Sequence, residues 1–317
     1  MKKYKIIVNP VSGRGAGQEA IPEIQSKLKS LDLDFDLVST ERPMHAAELA
    51  GEAVQQGYDV VVSVGGDGTA NEVLNGLMGA KAGGSRAAMG VLCVGRGNDF
   101  AFGMGIPTDL DDGCRLLAEG QAYPVDVGYV EGGLFPGGRY FGNGIGIGFD
   151  AVVGFEALKL KRLSGFLCYM VAALKTIFLY YRAPRILLET DGRKQELASL
   201  MVSVMNGRRM GGGFMMAPGG VPDDGRFNLC VVGSVSRIRI FPLIMRFMKG
   251  TQASHKAVQM IQTEALDVTA LEGTLPAHAD GETLCEQGQS LKIKLLPREL
   301  SIFRPAGGKE SVHTDIS

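Results

Sequence analysis

One segment limits the fold more than any other. Asp59-Val60-Val61-Val62-Ser63-Val64 is an apolar, β-branched run that breaks at once into Gly65-Gly66-Asp67-Gly68-Thr69, and helical spacing follows over Asn71 to Met78. A buried strand that turns on glycines and re-enters a helix is half of a βαβ unit. The glycines let the backbone turn sharply and approach a ligand. The helix that follows offers unpaired N–H groups suited to phosphate. A carboxylate in such a turn repels phosphate unless a cation bridges it or it accepts a proton from a nucleophile. Asp67 is therefore a metal-associated residue, a base, or a plain helix cap.

The same alternation surrounds this segment. Lys5 to Val8 reads as a strand entering Asn9-Pro10-Val11-Ser12-Gly13-Arg14-Gly15, and Glu19 to Leu31 carries Ile21, Ile24, Leu28 and Leu31 at helical spacing. Phe35 to Val38 reads as a strand, His45 to Gln56 as a helix, and Met89 to Val94 as a strand ending in Gly95-Arg96-Gly97-Asn98-Asp99. Strands separated by helices predict a parallel sheet, and ligands bind beyond the carboxyl ends of such strands. The three glycine loops fall there. Arg14 adds a charge that suits phosphate, but no Gly-Lys-Ser/Thr follows, so the first loop is not a P-loop. Asn98 and Asp99 either bind ligand or cap the next turn. Gly95-x-Gly97 is followed by Phe100 and Gly142-x-Gly144 by Ile147, so neither completes a dinucleotide fingerprint; a nicotinamide oxidoreductase is disfavoured.

After Asp126 the texture changes to short apolar runs between glycine-rich turns: 139–149, 185–189, 197–205, 227–232, 265–270 and 291–295. These predict a mostly antiparallel β domain interrupted by helices at about 157–181 and 236–249. A length of 317 residues suits two domains. The 45 glycines show no collagen period and so mean tight loops. Lys plus Arg is 33 and Asp plus Glu is 34, a balance that argues against nucleic acid as the main partner. Five scattered cysteines and four scattered histidines form no disulfide framework or zinc pattern, and a reducing cytosol is the default. Ile6-Ile7-Val8 is too short for a signal sequence, and Phe166 to Tyr181, broken by Lys175, falls short of the ~20 residues of a spanning helix. The chain reads as soluble or peripheral.

Several separated motifs together resemble the bacterial soluble diacylglycerol kinase family of lipid kinases, related to sphingosine kinases. They are Asn9-Pro10-x-Ser12-Gly13, Gly65 through Glu72, Gly97-Asn98-Asp99-Phe100-Ala101, Val125-Asp126-Val127-Gly128, Asn206-Gly207 with Gly211-Gly212-Gly213, Pro222-Asp223-Asp224-Gly225 and Asp280-Gly281-Glu282. The Gly-Gly-Asp-Gly-Thr box alone is also similar to NAD kinases and phosphofructokinases. The resemblance implies an α/β plus all-β fold: a Rossmann-like nucleotide domain over 1–127, to which 298–306 returns, and a β-sandwich substrate domain over 128–297. It places ATP in the cleft between them, with 307–317 a flexible tail.

Carried over by position, the resemblance implies a nucleotide site of Asn9, Pro10, Ser12, Gly13, Arg14, Thr40, Gly65, Gly66, Asp67, Gly68, Thr69, Asn71, Arg96 and Asn98. Arg96 stands where the family usually has Thr, and Cys93 where it has Pro. Glu282 matches the family's proton acceptor, and Asp67, Asp126 and Asp280 are candidates to hold a catalytic Mg²⁺ directly or through water. Read as chemistry alone, Asp280-Gly281 is also a strong hairpin-turn signal. Asp224, with the main-chain carbonyls of Val221 and Arg226, matches the family's structural metal loop; an all-oxygen shell suits Mg²⁺.

The expected activity is transfer of the ATP γ-phosphoryl group to a membrane-lipid hydroxyl, diacylglycerol to phosphatidic acid. The alternatives are a soluble NAD kinase and a non-catalytic lipid-binding or regulatory protein. Lys159, Lys161, Arg162, Arg182 and Arg185 flank the first helical stretch of the β domain, and Arg237, Arg239, Arg246, Lys249 and Lys256 the second. They either meet anionic lipid headgroups or lie on ordinary solvated faces. The expected location is cytoplasmic, peripheral at the inner membrane face, and a homodimer is open.

Overall fold

A computed structural model describes residues 2–160, 165–179 and 181–305. The chain divides into two compact units, one running through Val125 and resuming at Arg298, the other spanning Asp126–Pro297.

In the first unit, strands β1 (Lys3–Val8), β2 (Asp34–Ser39), β3 (Val60–Gly65) and β4 (Ala88–Cys93) alternate with helices α1 (Ala16–Ser30), α2 (His45–Gln55) and α3 (Asp67–Ala82). Helices α4 (Asp99–Met104) and α5 (Leu110–Glu119) follow. The strands pair in parallel in the order β4-β3-β1-β2. Ile6, Val8, Val60, Val62, Val64 and Leu92 bury one sheet face against Ile24 and Leu28 of α1 and Cys114 and Leu117 of α5. The chain runs outward to β2 from one side of β1 and to β4 from one side of β3, so β1 and β3 flank a topological switch point, where open α/β sheets bind ligands. Helix α5 has no counterpart in the sequence reading. Its signal was present: Asp109 accepts a hydrogen bond from Asp112 N at 3.1 Å, an N-cap three residues before its partner.

The second unit is a β-sandwich with helices on one outer face. Its strands are β5 (Gln121–Gly132), β6 (Phe135–Phe141), β7 (Gly144–Gly148), β8 (Arg185–Thr190), β9 (Arg193–Met205), β10 (Phe227–Gly233), β11 (Val258–Thr263), β12 (Ala265–Ala270), β13 (Leu275–Ala279), β14 (Glu282–Gly288) and β15 (Ser290–Arg304). The helices are α6 (Phe149–Lys159), α7 (Gly165–Leu179) and α8 (Arg237–Lys249). One layer runs β14-β13-β7-β9-β10-β11, antiparallel throughout. The other takes the first half of β9 onward through β8, β12 and β15 to β5 and β6. The far end of β15 pairs with β4 at Ile302 and Met89 in the first unit's sheet.

Strand alternation builds two cores. Val202, Val204, Leu229 and Val231 point into the sandwich with Phe141, Phe227 and Ile145. Met201, Met205, Cys230 and Val232 point the other way, onto Ala172, Ala173 and Ile177 of α7 and Ile240, Leu243 and Phe247 of α8. Both faces of this layer are therefore covered, which is why β9 and β10 read as continuous apolar runs. The helix expected over 157–181 is two helices, the first beginning at Phe149. The strand expected over 139–149 breaks at Gly142-Asn143 and gives way to α6. Among the described residues no helix is long and apolar enough to cross a membrane.

Candidate active site

In the first unit the three glycine loops converge at the carboxyl ends of β1, β3 and β4. Asn9 donates its side-chain amide to Thr69 Oγ1 at 3.0 Å, and its backbone N–H to Val64 O at 2.9 Å. Gly95 N donates to Gly65 O at 3.1 Å, and Thr40 N to Val8 O at 2.8 Å at the end of β2. A Cβ on Gly66 would stand 3.3 Å from the Gly95 Cα, so glycine at these positions is what lets the second and third loops touch. Gly13, Arg14 and Gly15 form a run of positive φ (62°, 65° and 102°) that leads into α1, whose N-terminus has no side-chain cap. Within the turn Gly15 N–H donates back to Ser12 O at 3.2 Å, and the feature suited to an anion is the uncapped start of α1 that follows.

Asp67 opens α3, and its Oδ1 accepts the Phe100 N–H at 2.8 Å, joining the second loop to α4. The Arg96 guanidinium reaches across to Gly13 O at 3.5 Å, so it lies over the first loop. Asn98 sits at φ 51°, donates to Gly95 O at 3.1 Å and leaves its buried Oδ1 without a partner. A buried orphan acceptor in a loop of this kind suits a donor on a ligand. Cys93, in place of the family's Pro, is a buried thiol pushed up to about 12 by burial and by the nearby Asp67 carboxylate; it is no nucleophile. The sequence-predicted nucleotide residues of this unit thus share one end of one sheet.

In the second unit the predicted residues fall on one hydrogen-bonded network. Asp126 is fully buried; its N–H donates to Pro222 O and its Oδ2 accepts Gly225 N–H, both at 2.7 Å, which fastens it to the Asp223-Asp224-Gly225 loop. In that loop Asp224 is exposed and accepts Arg226 N–H at 3.0 Å, an Asx turn. Asn206, fully buried, donates at 2.9 Å to both Asp126 O and Gly142 O. The 142–144 turn in turn gives three backbone N–H groups to the Asp280 carboxylate: Gly142 at 2.7 Å, Asn143 at 3.0 Å and Gly144 at 2.9 Å.

Asp280 and Gly281 are the two loop residues of the β13–β14 hairpin, at φ 47° and 87°, with Ala279 opposite Glu282. Both central residues are left-handed, as a type I′ turn requires. The hairpin reading of this box holds: the turn anchors Asp280 inward and starts β14 with Glu282, which is exposed. Its backbone pairs with Ala279, while among the described residues its side chain has no hydrogen bond or ion pair. Asn206 and Asn143 as hubs were not among the sequence-predicted site residues; their signal was an Asn beside a glycine in each case.

One further cluster escaped sequence reasoning altogether. Gly146 pairs with His278 on one side and Ser203 on the other, and Asp150 folds back over it from α6. A Cβ on Gly146 would stand 2.6 Å from His278 Nε2 and 2.9 Å from Asp150 Oδ2. Ser203 donates to Asp150 at 2.6 Å, while the buried His278 Nδ1 has no partner. Part of the Asp150 residue remains accessible, yet its carboxyl lies deep, and burial pushes it up from 3.8 to about 7; burial also pulls His278 down to about 4. A carboxyl raised on folding adds stability that is full below pH ~4 and lost as pH rises through about 7. Asp150→Asn is therefore expected to gain stability over the parent as pH goes from 5 to 8, read as urea midpoints. A pH-independent difference would show that Asp150 does not titrate in that window.

For a divalent cation the donor set is all oxygen. No three His, Cys, Asp or Glu side chains converge on a metal position among the described residues. The buried Oδ1 atoms of Asn143 and Asn206, beside Asp280 and Asp126, have no partner. Oxygen donors of this kind suit Mg²⁺, which takes one or two carboxylates and keeps several waters.

The first unit is thus a parallel sheet with glycine loops at its switch point, and the second a β-sandwich. Residues 3–130 match the family model of the diacylglycerol kinase catalytic domain, and residues 143–304 that of the YegS C-terminal NAD kinase beta sandwich-like domain. The chain belongs to the bacterial diacylglycerol kinase family and is a phosphotransferase with an alcohol group as acceptor. It is 27% identical over 282 residues to a diacylglycerol kinase of Staphylococcus saprophyticus, covering 89% of each chain. To one from Staphylococcus aureus it is 27% identical over 307 residues, covering 96% of this chain and 93% of that one. A diacylglycerol kinase structure from Bacillus anthracis aligns with TM-score 0.72 at 21% identity over 96% of this chain and 97% of that one. An NAD kinase from Archaeoglobus fulgidus in complex with ATP aligns with TM-score 0.53 at 15% identity, over 97% and 95%. The structural likenesses speak for the fold, and the family uses ATP as phosphate donor.

Proposed function

We propose that the protein transfers the γ-phosphoryl group of ATP to the hydroxyl of a membrane lipid, converting diacylglycerol to phosphatidic acid. The observation that carries this reading is Glu282: an exposed, unpartnered carboxylate at the start of β14, held by a turn whose other acidic member is tied to three backbone N–H groups. A carboxylate free to accept a proton from a carbinol is what this reaction asks of its protein, since phosphoryl transfer otherwise depends on alignment and charge neutralisation.

The chemistry follows from the residues. The loops of Asn9–Gly13, Gly65–Asn71 and Gly95–Asn98 receive the nucleotide: backbone N–H groups at the start of α1 meet phosphate oxygens, and Arg14 and Arg96 add positive charge. As the acceptor oxygen bonds to the γ-phosphorus, its proton passes to Glu282 and the bond from phosphorus to the β–γ bridging oxygen breaks, releasing ADP. Mg²⁺, when bound, would neutralise phosphate charge; Asp67, Asp126 and Asp280 are its proposed holders, directly or through water. Asp224 with the Val221 and Arg226 carbonyls is the proposed structural metal loop. Asp280 also keeps the hairpin in place.

Arg96→Ala is expected to weaken ATP binding about tenfold, the loss of one charge-assisted contact worth ~1.4 kcal/mol. Titration calorimetry checks it, and unchanged affinity removes Arg96 from the nucleotide site. The acceptor is tested by labelled γ-phosphate transfer to mixed micelles of diacylglycerol, phosphatidylglycerol, ceramide or sphingosine, with NAD as the soluble control. Label in diacylglycerol alone supports the reading; label in NAD alone replaces it with a soluble kinase.

A further inference from the structure

Helices α7 and α8 cover the outer layer of the sandwich, and each buries one face: Ala172, Ala173 and Ile177 from α7, Ile240, Leu243, Ile244 and Phe247 from α8. Their opposite faces should be polar if they met only water. They are not. On α7 the outward stripe is Leu167, Val171, Leu174 and Phe178, with Leu167 58% and Phe178 62% exposed. On α8 it is Ile238, Phe241 and Met245, 81%, 38% and 50% exposed, while Met248 packs back against the core. Both sets recur every three or four residues, so each is one continuous helix face. The Phe178 and Phe241 rings meet at 6.2 Å, which joins the two stripes into one patch. Contiguous exposed apolar surface of this kind marks a docking site.

The charges around the patch choose its partner. No Asp or Glu occurs between Glu156 and Glu189, nor between Asp224 and Glu264, so both helices and their flanks carry bases alone. Of the ten bases singled out in the sequence, Lys159 is paired with Glu156, and Arg185 with Glu196 and Glu272; Lys161 and Arg162 lie outside the described residues. Arg237 lies over the Tyr181 ring and Arg246 donates to Ser254. Arg182, Arg239, Lys249 and Lys256 are exposed, with no carboxylate partner among the described residues. A second copy of the chain seated on the patch would set Arg239 and Lys249 against their like. A surface with an apolar interior and anionic headgroups satisfies both features at once.

We infer that the α7–α8 face docks on an anionic lipid bilayer, with Leu167, Phe178, Ile238, Phe241 and Met245 entering the acyl boundary and Arg239 and Lys249 meeting the headgroups. The purpose of this docking rests on the lipid-kinase reading; the docking itself is read from the patch and its charges.

Sedimentation of the full chain with vesicles of phosphatidylcholine containing phosphatidylglycerol, against phosphatidylcholine alone, tests it. The parent is expected to bind the anionic vesicles, and the doubly substituted Ile238→Ser/Phe241→Ser protein to bind at least about tenfold more weakly. Arg239→Glu/Lys249→Glu should lose binding while keeping the apolar patch. These positions are on the surface, and unchanged thermal melts confirm folding of both variants. Phosphorylation of a water-soluble short-chain diacylglycerol should be unchanged in both. A parent that ignores anionic vesicles, or an apolar variant that binds as the parent does, overturns the inference. So does a parent dimer, seen by sedimentation velocity, that the apolar substitutions dissociate, since a second copy then covers the patch. Loss of vesicle binding in the variants, with no diacylglycerol phosphorylated by the parent in either form, upholds the docking and discards the lipid acceptor.

Discussion

Glu282→Gln is expected to lower turnover by about 10²–10⁴-fold, the usual contribution of a positioned general base, with ATP affinity unchanged. The contrast between the two readouts is sharp because Glu282 is exposed and makes no contact whose loss would disturb the fold. The amide keeps size and polarity and removes only the capacity to take a proton. Stability measured by urea should stay within ~0.5 kcal/mol, as for other surface substitutions away from buried features. A variant with full turnover would place the proton elsewhere, and the first alternative to examine would be Asp67.

Asp280→Ala should behave in the opposite way and damage the fold first. Its carboxylate receives three buried backbone N–H groups, and an unsatisfied buried donor costs about 1–3 kcal/mol. Three together amount to roughly 3–9 kcal/mol, a large part of the ~5–15 kcal/mol of a typical domain. The left-handed φ of 47° adds to this, because alanine tolerates it less well than aspartate. Asp280→Asn keeps one acceptor oxygen and should fall between. Equilibrium urea unfolding measures both. An alanine variant within ~1 kcal/mol of the parent would mean that the 142–144 turn finds other partners. If stability is lost as expected, a loss of activity at Asp280 says nothing about chemistry by itself, and this is why Glu282 is the better probe of the reaction.

The parallel sheet was legible because β3 and β4, and most of β1, are buried and their loops are punctuated by glycine. Ile6-Ile7-Val8 and Val60-Val61-Val62 have no other soluble use, and Gly65-Gly66 fixes where β3 ends. The sandwich was harder. Strands β11, β13 and β14 are short and mixed in character, and β13 and β14 are readable mainly through the Asp280-Gly281 turn between them. The split near residue 160 falls at the basic stretch Lys159-Leu160-Lys161-Arg162, which reads equally well as one polar turn of a longer helix, and apolar residues on both sides without a change of period do not mark a helix end. In the site, the loop residues could be found from glycine spacing and family resemblance. Asn206 and Asn143 were marked only by a neighbouring glycine, and the Asp150–His278 pair not at all, since their roles arise only when β7, β9 and β13 lie side by side. The exposed stripes of α7 and α8 were likewise invisible: sequence shows that both helices are apolar, but only packing shows which face is left over.

The most direct measurement is product analysis by mass spectrometry after incubation of the parent and of Glu282→Gln with ATP, Mg²⁺ and dioleoylglycerol micelles. The parent should form phosphatidic acid and ADP one for one, and Glu282→Gln should form neither above background while still binding ATP. ADP released without phosphorylated lipid, or phosphatidic acid made at the parent rate by Glu282→Gln, would contradict the assignment of a lipid kinase acting through this carboxylate.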